Sequence, residues 1–199
     1  MRRRIPYRRD RKWKFILLLI LAAAVAGIYS FVNSPYYPVL FYKKANVDDV
    51  IEETARRYNI DPAFVKAVIW QESRFNQNIV DSKGEIGLMQ IRPEKGAVTD
   101  WKKEHNIAVP CPGVLFRPEL NIEIGTWYLS RALHRWEGYK YQYELALSEY
   151  NAGRKGMKKW IPQHPDDEVT EKITISSTKE YVKSIMKRYR NYTEKRTAQ

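Results

Sequence analysis

Between Phe15 and Val32 the chain reads FILLLILAAAVAGIYSFV, a run with no charged residue. Coiled as an α-helix it spans about 27 Å, close to the roughly 30 Å hydrocarbon core of a bilayer. Residues 1–14, MRRRIPYRRDRKWK, carry eight Lys/Arg and one Asp on its N-terminal flank. That asymmetry orients a span with its N-terminus in the cytoplasm. Trp13 on one side and Tyr29, Tyr36 and Tyr37 on the other suit the two interfacial aromatic belts. The competing expectation is a cleaved signal peptide, cut at Ala24-Val25-Ala26 before Gly27, although the run exceeds the usual apolar length of about 7–15 residues. On either reading, the chain beyond about residue 33 lies outside the cytoplasm.

The formal charge of +12 would otherwise point to nucleic acid. Seven of those charges (eight cations less one acid) fall in residues 1–14, leaving +5 on everything else. A basic face spread over a folded domain is therefore absent, and no nucleic-acid partner is expected. Cys111 is the single cysteine, so no disulfide can form within the chain. With only His105, His134 and His164 beside it, the composition is poor material for a zinc cage. Thiol chemistry would need a paired histidine and asparagine, which nothing in the run VPCPGV around Cys111 suggests, and the residue reads as a bystander.

The 199 residues suit one domain plus an appendage. The expected organisation is a basic tail over 1–14, a membrane span over 15–32, a linker over 33–45, a folded domain over 46–192 and a tail over 193–199. Asn33 to Tyr42, NSPYYPVLFY, holds two prolines and no helical period, as a tether would. Beyond it helical signals dominate. Asn46 caps VDDVIEETARRY with acids in the first turn, and Asp61-Pro62 opens PAFVKAVIWQES, ending near Ser73. Another helix is expected through KGAVTDWKKEH. Pro118 opens ELNIEIGTWYLSRALHRW, where Leu120, Ile124, Trp127 and Tyr128 share a face. YELALSEY follows, closed by Asn151 and Gly153 as a left-handed C-cap. Ala108–Phe116 and Ile161–Ser177 read as loops, with a weak strand signal at 173–175. Thr178 caps a last helix, KEYVKSIMKRYRNYTEK. The fold class expected is mainly α.

One carboxylate stands out. Val65, Val68 and Ile69 form an apolar stripe, and Glu72 continues it at i+7. Burial there, among neighbours such as Trp70, disfavours the ionised form and raises the pKa, as a general acid requires. A Glu paired with a buried Arg, or one on an exposed last turn, fits the same periodicity. In Gly87-Leu88-Met89-Gln90 the glycine permits positive φ or close approach, and Gln90 offers both a donor and an acceptor. Taken singly, this cluster also reads as a glycine turn, and Tyr150-Asn151-Ala152-Gly153 as a helix terminus.

Together, ES at 72–73, GLMQ at 87–90, NIEIGTWYL at 121–129 and YNAG at 150–153 resemble the lytic transglycosylases of the soluble-lytic-transglycosylase type, from about Val47 to Tyr189. The resemblance implies a lysozyme-like helical fold with a groove between lobes. It implies cleavage of the β-1,4 bond between N-acetylmuramic acid and N-acetylglucosamine in peptidoglycan strands, without water and without a cofactor or metal. Glu72 would protonate the glycosidic oxygen, then take the proton of the muramoyl C6 hydroxyl as the ring closes to a 1,6-anhydro end. Met89 and Gln90 would line the groove, Tyr150 would lie beside the scissile sugar and hold Glu72, and Asn151 would shape the wall. Gly87 and Ser73 would support the site structurally. Phe75, Trp101 and Trp160 are candidates for sugar stacking, although core packing is the commoner fate of such residues; Trp127 and Gly125 point to core and tight helix packing.

The chain departs from the family pattern in four places. Asp81 replaces a frequent Ser, Arg92 a methionine after GLMQI, Glu149 a small residue before YNAG, and Ser177-Thr178 a Glu-Thr pair. Asp81 or Glu149, if turned into the groove, could position water and favour hydrolysis, as in a goose-type muramidase sharing the fold. A non-catalytic wall-binding scaffold in an envelope complex is the remaining alternative, against which the presence of Glu72, Gln90, Tyr150 and Asn151 argues.

Overall fold

A computed structural model of the chain describes residues 10–32, 46–107 and 112–197. Cys111 and the tether over 33–45 lie outside the described residues. The chain divides into two units, Met1–Phe41 and Tyr42–Gln199.

In the first unit, α1 (Asp10–Val32) is one continuous helix. Its stretch Lys12–Phe31 has a mean hydropathy of 2.2, long and apolar enough to cross a membrane. Leu, Ile, Ala and Val on all sides give it no polar stripe, so no single face is set apart for a water-soluble core.

The second unit is helical. It comprises α2 (Val47–Arg57), α3 (Pro62–Ser73), α4 (Ala97–His105), α5 (Pro118–Arg135), α6 (Gln142–Gly156) and α7 (Ser176–Thr197). Short 3₁₀ turns at Pro112–Phe116, Met157–Trp160 and Thr170–Lys172 link them. The strand signal at 173–175 is not realised. Ile173 closes the last 3₁₀ turn, its N–H bonded to Thr170 O at 3.3 Å, and its side chain is buried. Among the described residues the only β-type pairing is a pair of single bridges, Val80–Ile86 and Ile86–Ile91.

The caps are those the sequence calls for. Asn46 Oδ1 accepts from Asp48 N at 3.1 Å, and Asp61 Oδ1 accepts from Ala63 N at 2.9 Å. Asp61 also binds Tyr189 Oη at 3.0 Å and both terminal nitrogens of Arg196. Burial pushes the Asp61 carboxyl up, but the bonds from Arg196, Ala63 and Tyr189 outweigh it and hold the pKa below its usual value. This anchor explains why α7 runs on to Thr197, through most of the stretch expected as a tail. Nor does Thr178 cap α7. The first helical bond runs from Lys179 N to Ile175 O, and buried Thr178 donates instead to Asn151 Oδ1 at 2.8 Å. With its side chain so committed, Asn151 stays helical. Only at Gly153, with φ 69° and ψ 161°, does α6 break, a positive φ outside the left-handed helical basin.

Core packing follows the apolar stripes. Phe64, Val65, Val68 and Ile69 on α3 are fully buried, as are Ile122, Ile124 and Leu129 on α5 and Leu145 and Leu147 on α6. Each such side chain contributes about 1.5–3 kcal/mol on burial. Phe64 meets Tyr143 and Tyr189 edge-on, at centroid separations of 4.7 and 5.3 Å. The result sets the C-terminal end of α3 against the start of α7, beside the loop that joins α3 to α4.

Candidate active site

Glu72 completes the stripe begun by Val65, Val68 and Ile69 and lies in the last turn of α3. Its Oε1 accepts a hydrogen bond from the Tyr181 hydroxyl at 2.6 Å. Burial pushes the carboxyl up to about 7; the bond from Tyr181 pulls the other way, Glu85 and Asp81 raise it further and Lys83 lowers it. No arginine pairs with Glu72 among the described residues, so the buried ion pair does not arise. Tyr181 is itself held well above its ordinary pKa by burial and by the Glu72 charge, and so remains a donor at any physiological pH. Immediately after the carboxylate the chain turns sharply. Arg74 and Phe75 both adopt positive φ, 53° and 63°, a costly choice for two successive non-glycine residues. Ser73, buried, donates to Ile69 O at 3.1 Å and serves the helix end.

The GLMQ turn is fixed from beneath by Asn121 of α5. Asn121 is fully buried. Its Oδ1 accepts from Met89 N at 2.7 Å, while its Nδ2 donates to Ile86 O and Leu115 O, each at 2.8 Å. Gly87 has φ 79°, and a Cβ there would lie 2.7 Å from Leu115 O and collide with the Asn121 amide. Glycine is required on both counts. The expectation that Met89 lines the groove is corrected here. Its side chain is fully buried, and a Cβ on Gly125 would sit 2.8 Å from Met89 Cβ. The sulfur fills the space that the missing Gly125 side chain leaves on α5. What Met89 offers the site is its carbonyl, which accepts from Tyr150 Oη at 2.9 Å.

A groove of about 380 Å³ opens beside this turn, with Gln90, Tyr128, Tyr150 and Asn151 in its lining. Gln90 has φ 48° and its Nε2 donates to Gly87 O at 2.9 Å, which holds the side chain against the turn. Glu72 is not in the lining of this volume, but Glu85 and Lys83, which are, act on its carboxyl. Tyr150 packs edge-to-face on Tyr128 and is raised well above its ordinary pKa by burial and by Glu72. The role of holding Glu72, expected of Tyr150, belongs to Tyr181, because the Tyr150 hydroxyl is taken by Met89 O.

The departures resolve into separate roles. Asp81 Oδ1 accepts from Lys83 N and Glu85 N, both at 2.8 Å, and so closes its own turn. Burial raises its pKa, but those backbone bonds overcome the effect and lower it. Glu149 is buried away from the groove, with Arg135 as ion-pair partner and Trp136 Nε1 donating at 3.0 Å. Arg92 Nε donates to Glu85 Oε1 at 2.9 Å within the groove lining. Trp101, Trp127 and Trp160 are core residues, and Phe75 packs partly buried against the core. Among the described residues no cluster of three or more His, Cys, Asp or Glu is arranged to hold a metal.

Sequence reasoning missed Tyr181, Asn121 and Glu85 as members of the site. Tyr181 lies on the buried face of α7 with Val182 and Ile185, and so resembles a core aromatic. Asn121 did carry a signal, an amide in the first turns of an otherwise apolar face, where it could not be solvated.

Residues 49–173 match the family model described as Transglycosylase SLT domain, more than half of the chain. The soluble lytic murein transglycosylase of Salmonella typhimurium is 32% identical over 144 residues, covering 70% of this chain and 22% of that protein. The endo-type membrane-bound lytic murein transglycosylase A of Klebsiella pneumoniae is 29% identical over 120 residues, covering 60% of this chain and 59% of the relative. Among solved structures, the 70 kDa soluble lytic transglycosylase of Escherichia coli superposes with TM-score 0.60 at 29% identity, covering 73% of this chain and 24% of that one. A lytic transglycosylase from Pseudomonas aeruginosa shares the fold with TM-score 0.65, over 75% of this chain and 24% of the other. The chain thus spans about a quarter of the soluble relatives' length.

Proposed function

The chain belongs to the transglycosylase SLT family, and from the geometry of its site we propose that it is a peptidoglycan lytic transglycosylase held at the cytoplasmic membrane by residues 15–32. Its N-terminus is cytoplasmic and its helical domain faces the periplasm or the wall zone. The observation that carries the reading is Glu72, a partly buried carboxyl raised to about 7 and gripped by Tyr181. A group so placed is about half protonated at neutral pH and, among the described residues, has no ion-pair partner to surrender.

In the reaction, Glu72 gives its proton to the glycosidic oxygen of the MurNAc–GlcNAc linkage as the C1–O bond breaks. The muramoyl N-acetyl oxygen closes on C1 and holds the positive charge. Glu72, now a carboxylate, takes the C6 hydroxyl proton while O6 attacks C1 and displaces the acetyl oxygen, leaving a 1,6-anhydro end. The proton lost in the first half is regained in the second, so one carboxyl suffices. An inverting hydrolysis, by contrast, would need a second carboxylate to activate water. Asp81 is occupied by backbone N–H groups, Glu149 by Arg135 and Trp136, and Glu85 by Arg92. This disposition supports transglycosylation over a muramidase.

Digestion of purified sacculi followed by mass spectrometry tests the reading. Anhydro-muropeptides are expected, and they vanish with Glu72→Gln. Reducing ends without anhydro products would exclude it.

A further inference from the structure

The groove carries a charge pattern that a neutral sugar backbone does not call for. Lys83, Arg92 and Lys95 line it against a single carboxylate, Glu85, a surplus of two positive charges (three less one). Arg92 is committed to Glu85 through Nε at 2.9 Å, with side-chain exposures of 40% and 25% for the pair. That bond holds the guanidinium by its inner edge and leaves both terminal nitrogens to point elsewhere. Among the described residues neither the Lys83 nor the Lys95 ammonium has a carboxylate within ion-pair distance. Three cations thus gather at one groove, and only one of them is partly neutralised.

Their placement follows from the turn. The Ile86–Ile91 bridge, with N–H···O bonds of 3.0 and 2.9 Å, sets the Asp81–Glu85 turn beside the start of the 92–96 stretch. Lys83 and Arg92, nine positions apart in sequence, therefore border one space. Lysines on an open surface are ordinary; here the charges share a concave wall with Tyr150 and Asn151.

Resting on the transglycosylase reading, the chemistry of the substrate supplies the complement. Glycan rings of peptidoglycan are uncharged, and the negative charge hangs from the muramoyl lactyl ether as the carboxylates of the stem peptide. A guanidinium engaged through Nε still donates two parallel N–H bonds from its terminal nitrogens to such a carboxylate, and flanking ammonium groups add attraction without demanding geometry. We propose that Arg92, Lys83 and Lys95 form an anion subsite that selects muramoyl residues whose peptide stem bears free carboxylates, with Glu85 setting the Arg92 fork. Occupation of the subsite also touches the chemistry: Lys83 draws the Glu72 pKa down, so a stem carboxylate that neutralises it favours the protonated acid.

The test uses the full-length protein in detergent and two preparations of soluble glycan strands, one with native stems and one with the stem carboxylates chemically amidated. Binding to the Glu72→Gln variant and turnover by the unmodified protein are both measured. Native strands are expected to bind about tenfold tighter than amidated ones at low salt, with the advantage shrinking as salt rises. The preference should fall to about twofold or less in Lys83→Gln/Lys95→Gln, a surface pair whose loss leaves folding intact, and in Arg92→Met. Equal binding of the two preparations, or a preference untouched in both variants, overturns the subsite. Absence of turnover on either strand would instead overturn the transglycosylase reading, and the binding comparison would still decide the subsite.

Discussion

The Tyr181 hydroxyl meets Glu72 Oε1 at 2.6 Å, joining α7 to α3 across 109 positions of sequence. This bond works against the burial that raises the Glu72 pKa, since a donated O–H favours the ionised carboxylate. The proposed general acid is therefore poised by two opposed effects, the larger being desolvation.

Tyr181→Phe removes the opposing effect. The Glu72 pKa then rises above about 7, and the alkaline limb of the pH–activity profile moves to higher pH. A pH profile of anhydro-muropeptide release checks this. A loss of rate at every pH without displacement of the limb would mean that Tyr181 only orients the carboxyl.

Glu72→Gln abolishes cleavage and, by the same physics, stabilises the fold at alkaline pH. The folded pKa of about 7 exceeds the ordinary 4.5, so the native state holds its proton longer than the unfolded chain does. Wild-type stability accordingly falls as pH rises from about 4.5 to 7 and is lowest relative to the variant above that. Denaturant melts at pH 8 should place the Glu72→Gln variant above the wild type by about 3 kcal/mol, the gap closing by pH 4. A gap that does not depend on pH would contradict the raised pKa.

Asn121→Ala removes the side-chain bonds of Met89 N–H and Leu115 C=O and leaves Ile86 C=O with only its bridge bond from Ile91 N–H. A loss of about 3 kcal/mol is expected, with activity falling further because the GLMQ turn loses its support. Chemical denaturation gives the first quantity, and hydrogen exchange at Met89 and its neighbours locates the second.

Gly125→Ala places a methyl group into Met89 Sδ and Cβ. Helix propensity favours alanine by about 1 kcal/mol, but overpacking of this kind costs about 1–3 kcal/mol, so the net effect is a loss. Combining it with Met89→Ala should recover part of that loss, and a double-mutant cycle measures the coupling. Additive effects would mean that the two residues do not press on one another.

Much of this was readable along the chain. Asn46 and Asp61 open helices where their capping chemistry says they should, because a cap bonds within a few residues of itself, and Pro118 opens one because its fixed φ suits the first helical position. Glu72 was visible as a carboxylate on an apolar stripe, since Val65, Val68 and Ile69 define that stripe locally. Gly125 announced close packing without naming its partner, which proved to be Met89. Thr178 misled because a threonine near a helix start looks the same whether it bonds its own backbone or, as here, Asn151 on another helix. Met89 misled for the same reason: its motif indicates a groove, while its rotamer was chosen by the vacancy above Gly125.

Local chemistry written into the order of residues marked where most of the helices begin, which run is apolar enough to enter a bilayer, and which acid continues an apolar stripe. The tertiary structure alone settled who grips that acid and which charges gather around it. Those partners lie tens of residues apart, and desolvation depends on every atom packed nearby. Neither has a period or a spacing by which a linear chain could announce it.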